Sequence, residues 1–116
     1  MRVALLAASG LLAATLEGFV ESHPGAGVEI VWTVMEPGSI LAALDHAPDL
    51  FLLDMRWREQ ALAAAQTLQD LGAGLIICLF EHLDDPLIGD ALAMGLDIFQ
   101  WSSPTGALLE HIQATG

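Results

Sequence analysis

The stretch Pro48-Asp49-Leu50-Phe51-Leu52-Leu53-Asp54-Met55-Arg56 sets four large apolar residues between two carboxylates. A run this short and continuous reads as a strand buried on both faces, which is how strands of a parallel sheet look when helices cover both sides. Four more such runs lie along the chain: Val3–Ala7, Val28–Val34, Leu75–Phe80 and Ile98–Trp101. Helical spacing fills the intervals. Leu12, Leu16, Phe19 and Val20 form one apolar face, and Ile40, Leu41 and Leu44 a second. Leu62, Ala65, Leu68 and Leu71 form a third, Leu87, Ile88, Ala91 and Leu92 a fourth, and Leu108, Leu109 and Ile112 a fifth.

The punctuation supports this division. Asp85-Pro86 and Ser103-Pro104 each put a capping side chain before a proline suited to the first helical position. Ser39 after Pro37-Gly38 opens another helix, and Gly72, Gly74 and Gly95 fall where helices stop. Strand–helix units repeated five times predict an α/β three-layer sandwich with a five-stranded parallel sheet and five helices, in a single domain over 1–116. Met1-Arg2 followed by Val3-Ala4-Leu5-Leu6-Ala7-Ala8 also imitates a short secretory signal peptide. The sheet reading competes with it, because it needs Val3–Ala7 as its first strand.

Composition removes whole classes of function. The chain has 116 residues, with Lys+Arg 3 against Asp+Glu 15 and a formal charge of −12. The three basic residues are Arg2, Arg56 and Arg58, and there is no lysine. Phosphate backbones and anionic membrane surfaces therefore find no basic patch, so neither direct nucleic-acid contact nor membrane contact is expected. Schiff-base chemistry and a P-loop lysine are excluded. The single Cys78 lies inside the fourth apolar run, which fits a buried thiol in a reducing compartment, and a cytoplasmic location is expected.

In an open parallel sheet, function gathers at the carboxyl ends of the strands. Those ends are Ala7-Ala8-Ser9, Thr33-Val34-Met35, Asp54-Met55-Arg56, Phe80-Glu81-His82 and Trp101-Ser102-Ser103. The segment Pro48–Arg56 resembles the phosphoacceptor segment of response-regulator receiver domains, and Gly95-Leu96-Asp97-Ile98-Phe99 resembles the entry to that family's fifth strand. The resemblance spans the chain in element order. It implies a flavodoxin-like sheet of order 2-1-3-4-5, with Asp54 in the place of the aspartate that accepts a phosphoryl group from a histidine kinase.

The rest of the family's site is missing. Ala7 and Ala8 stand where two acidic residues would hold Mg²⁺, and Phe80 stands where a Ser or Thr hydroxyl would bond the phosphoryl group. Ser102 or Ser103 replaces the lysine, and Arg58 the usual proline after the acceptor. Hard Mg²⁺ needs oxygen ligands, and one lost electrostatic contact in an active site costs roughly 3–4 kcal/mol. The resemblance therefore implies a degenerate pseudo-receiver with no Mg²⁺ cofactor. It is expected to act as a regulatory, non-enzymatic domain through protein–protein contact or dimerisation. A DNA-binding output domain would follow residue 116 in a longer regulator.

Each remaining candidate carries two readings. Asp54 is a residual slow phosphoacceptor, an acid held by Arg56 or Arg58, or simply a strand-end carboxylate, and the plain reading of the two arginines is that both are solvated. The vacated pocket could instead hold a small molecule. Glu81, His82, Asp84 and Asp85 have metal-ligand residue types at no tight spacing, and Asp84-Asp85 reads better as a helix cap. His23, His46 and His111 fall at or near predicted helix ends, where imidazoles commonly meet terminal carbonyls, and no role is assigned to them. Leu87, Ile88, Met94, Phe99 and Trp101 make a candidate interface on the fourth- and fifth-helix face, against ordinary core packing.

Overall fold

The five apolar runs form β1 (Arg2–Leu6), β2 (Glu29–Val34), β3 (Leu50–Asp54), β4 (Leu75–Phe80) and β5 (Asp97–Gln100) in a computed structural model that describes residues 1–101 and 105–115. They join in one parallel sheet of order β2-β1-β3-β4-β5. The segment that imitates a signal peptide is β1, paired with β2 on one side and β3 on the other.

Side chains alternate across the sheet as a period of two requires. Ala4, Leu6, Phe51, Leu53, Ile76, Cys78 and Phe80 pack on one face against Ile40, Ala43, Ala61, Ala65, Leu68, Leu87 and Ala91. Val3, Leu5, Ala7, Leu50, Leu52, Ile77 and Leu79 pack on the other against Leu12, Ala13, Leu16, Leu108 and Ile112. Helix α1 (Gly10–Ser22) and helix α4 (Thr105–Thr115) therefore cover one face, while α2 (Glu59–Asp70) and α3 (Leu87–Ala93) cover the other.

The fifth helical segment, Pro37–His46, lies on the α2 side and is a 3₁₀ helix. Its two buried residues, Ile40 and Ala43, are three apart, which matches three residues per turn. It ends at Ala47, which sits in the left-handed region with φ 49°. At the start of β4, a Cβ on Gly74 would come within 2.8 Å of the Asp49 carbonyl oxygen, so this crossing needs glycine.

Candidate functional site

Asp54 closes β3 and is the one buried charged residue among the described residues, 3% exposed. The chain then turns tightly through a 3₁₀ segment, Met55–Trp57, with Met55 buried. The Asp54 side chain helps make this turn, because Oδ1 accepts the Arg56 backbone N–H at 3.1 Å. The turn folds the Arg56 guanidinium back onto the same carboxylate. Nη2 donates to Oδ2 at 2.7 Å, and Nε lies 3.1 Å from both oxygens. The Ala8 backbone N–H adds a bond to Oδ2 at 2.9 Å.

Arg56 reaches further, to Ser9 Oγ at 3.2 Å and to within 3.4 Å of Glu81 Oε1. It thus ties together the loops that leave β1, β3 and β4. Ser9 also caps α1, where its hydroxyl accepts the Leu12 N–H at 3.2 Å. The hydrogen bond to Asp54 raises the guanidinium pKa above its usual value.

Ala7 is buried and Ala8 half-buried beside Asp54, and neither side chain carries an oxygen. A Mg²⁺ ion needs several oxygen ligands. At this place both Asp54 oxygens are already bonded to donors, and the nearby Ser9 hydroxyl and Glu81 carboxylate also face Arg56. The residues present do not fit the ion. Phe80 is buried in the α2–α3 core and lines a small cavity of about 190 Å³ with Met55, Arg56 and Asp85. Ser102 and Ser103 lie outside the described residues.

Arg58 takes a different partner. It forms a bidentate pair with Asp85, with Nη2 2.9 Å from Oδ1 and Nη1 bonded to Oδ2. The Arg58 hydrogen bond holds the Asp85 carboxyl below its ordinary range. Asp85 also accepts the Leu87 N–H at 2.9 Å, and Pro86 has helical dihedrals, so the acid works as the expected cap of α3. Arg58 reaches this position with φ 57°. Glu81, His82 and Asp84 are exposed, and among the described residues no three His, Cys, Asp or Glu side chains converge on a metal site.

The histidines near helix ends make three different contacts. The His23 ring meets the Phe19 carbonyl at 2.9 Å, as helix-end geometry predicts. The His46 ring stacks on Trp32, with centroids 4.4 Å apart. His111 pairs with Asp97 at 2.7 Å and lies against Phe99. Of the candidate interface residues, Leu87 is buried in the core, while Ile88, Met94, Phe99 and Trp101 are half-buried and packed on it.

Trp57 is a site residue that sequence reasoning missed. Its indole N–H donates to the Ala7 carbonyl at 3.0 Å, pinning the end of β1 to the turn after β3. The available signal was an isolated tryptophan three residues beyond a strand-ending acid.

No family model matches the chain, and no curated protein matches it. Solved structures do. The REC domain of AraT, a response regulator from Geobacillus stearothermophilus, superposes with a TM-score of 0.81 at 14% identity, over 98% of this chain and 90% of that one. The BeF3-activated N-terminal receiver domain of Klebsiella pneumoniae RstA gives 0.80 at 17% identity, over 98% and 97%. The pseudo-receiver domain of the CikA protein gives 0.66 at 22% identity, over 97% and 94%. At these identities the likeness speaks for architecture, and the chain has the flavodoxin-like fold of response-regulator receiver domains.

Proposed function

We propose that this domain is a pseudo-receiver, a regulatory module that acts by contacting a protein partner and does not use Mg²⁺-dependent aspartyl phosphorylation. The closed Arg56–Asp54 pair carries the reading. Phosphoryl transfer to a carboxylate needs an oxygen with an open approach, and charge neutralisation around the phosphoryl group as it arrives. Oδ2 already accepts hydrogen bonds from Arg56 and from the Ala8 N–H, and Oδ1 accepts the Arg56 backbone N–H and Nε–H. The Ala7 and Ala8 side chains offer no metal ligand, and a chain without lysine has no side-chain ammonium to meet phosphoryl oxygens. A built-in cation thus holds the pocket in one state.

Intact-protein mass after incubation with acetyl phosphate and Mg²⁺ tests this. The expected mass is unchanged. A stoichiometric gain of one phosphoryl group that disappears in Asp54→Asn overturns the reading.

A further inference from the structure

Beside the Asp54 site, the 3₁₀ helix Pro37–His46 and α2 part to leave an open groove of about 460 Å³. Pro37 and Leu41 line it from the 3₁₀ helix, Ala63 and Ala64 from α2, and Trp57 also lines it. The short alanine side chains give the groove its depth. Leu41 is 37% exposed although the residues on either side of Trp57 are tied into ion pairs. At the mouth stands Glu36, exposed and in no ion pair among the described residues.

Charge decides what can occupy this surface. The chain carries −12, and each of its three arginines is already engaged. Arg2 donates to the His46 carbonyl, Arg56 to Asp54, and Arg58 to Asp85. Two of the three cations are thus paired with acids, and the surface charge is strongly negative. A second copy would set one −12 surface against another, and an anionic membrane would be repelled in the same way. A partner with complementary positive charge is attracted and oriented.

We propose that the groove docks an amphipathic, basic segment of a partner protein. One large apolar side chain of the segment seats on Trp57 between Leu41 and Ala63, and a neighbouring Lys or Arg pairs with Glu36. This is helix-in-groove recognition, with apolar anchoring and a charged rim. The inference rests on the reading of the domain as a partner-contacting module and names the chemistry of that partner. It also supplies a link to the Asp54 site, because the indole of Trp57, which lines the groove, is bonded to the Ala7 carbonyl.

The test is an amide-shift titration of the ¹⁵N-labelled chain with a helical Leu/Lys peptide, beside a Leu/Glu peptide and a Ser/Lys peptide of equal length. The Leu/Lys peptide is expected to shift Glu36–Leu41 and Gln60–Thr67, with a change in Trp57 indole signals, and the other two peptides to bind at least about tenfold more weakly. Ala63→Arg is expected to weaken the Leu/Lys peptide about tenfold. It tolerates the change because Ala63 is exposed, and Leu41→Ser provides a second variant should it fail to fold. Shifts centred on α3, β5 and α4 overturn the proposal. So does equal binding of the Ser/Lys peptide, which would be charge alone, or undiminished binding to both variants. Equal binding of an uncharged apolar dye in the groove also overturns it, in favour of a small-molecule site. The acetyl phosphate measurement is independent. An unphosphorylated chain that ignores the peptide loses this inference alone, and a phosphorylated chain that binds it loses the pseudo-receiver reading alone.

Discussion

Arg56 grips Asp54 with two nitrogens of one guanidinium, Nη2 at 2.7 Å and Nε at 3.1 Å, across a turn only two residues long. The acid is buried and the base is about a third exposed, with side-chain exposures of 4% and 36%. Removing one member of a fully buried pair costs about 3–5 kcal/mol, because the other charge is left stranded. Water reaches Arg56 and screens part of that penalty. Arg56→Met is therefore expected to destabilise the fold by about 1–2 kcal/mol in urea unfolding. Arg56→Lys should recover only part of it, since an ammonium cannot make the forked contact. An Arg56→Met variant as stable as the parent would show that the pair contributes nothing.

The same geometry sets the response to divalent metal. A ligand that binds the folded state raises stability by about 2.7 kcal/mol at one hundred times its Kd. With both Asp54 oxygens bonded and alanine at positions 7 and 8, Mg²⁺ in the millimolar range should leave the melting temperature unchanged. A rise of several degrees that Asp54→Asn abolishes would contradict this.

Arg58 pairs with Asp85 at the expense of its own backbone. Its φ of 57° and ψ of −132° lie where side chains with a Cβ are rarely found and glycine is at ease. Two substitutions separate strain from pairing. Arg58→Ala loses the ion pair and keeps the strain, whereas Arg58→Gly loses the pair and relieves it. The glycine variant should melt a few degrees above the alanine variant. Equal melting temperatures would mean that the backbone at this position relaxes at no cost.

The strands were legible because burial on both faces leaves nothing but apolar residues. Leu50–Leu53 and Leu75–Phe80 could hardly be anything else. The form of the helix at Pro37–His46 was not legible, since Ile40, Leu41 and Leu44 suit a period of 3.6 as well as the observed 3₁₀ winding. At the site, the reading of Ala7, Ala8 and Phe80 as lost positions rests on the resemblance to receiver domains, and what the structure adds is that Ala7 and Phe80 are buried and Ala8 half-buried. The choice between Arg56 and Arg58 was not legible either. Both lie within four residues of Asp54, and the positive φ of Arg58 accompanies a contact with Asp85, 27 positions away. Local spacing carries no signal for such a contact, nor for the stacking of His46 on Trp32 or the pairing of His111 with Asp97.

Cys78 yields the pH prediction. It sits in the middle of β4 with no exposed surface, and burial, aided by the charge of Asp97, pushes its thiol from an ordinary 9.0 up to about 12. A thiolate is the reactive form, so the native thiol should resist alkylation by iodoacetamide at pH 8 and react once urea unfolds the chain. The raised value also fixes the sign of its contribution to stability. Below pH 9 the thiol is protonated in both states and the contribution is complete. Above it the unfolded chain loses the proton while the folded one keeps it, so stability falls by up to about 1.4 kcal/mol per pH unit until the folded thiol ionises. Cys78→Ala leaves a cavity but removes this titration. The urea midpoints of parent and variant should therefore draw closer between pH 9 and pH 11, and a gap that stays constant over that range would contradict the assignment.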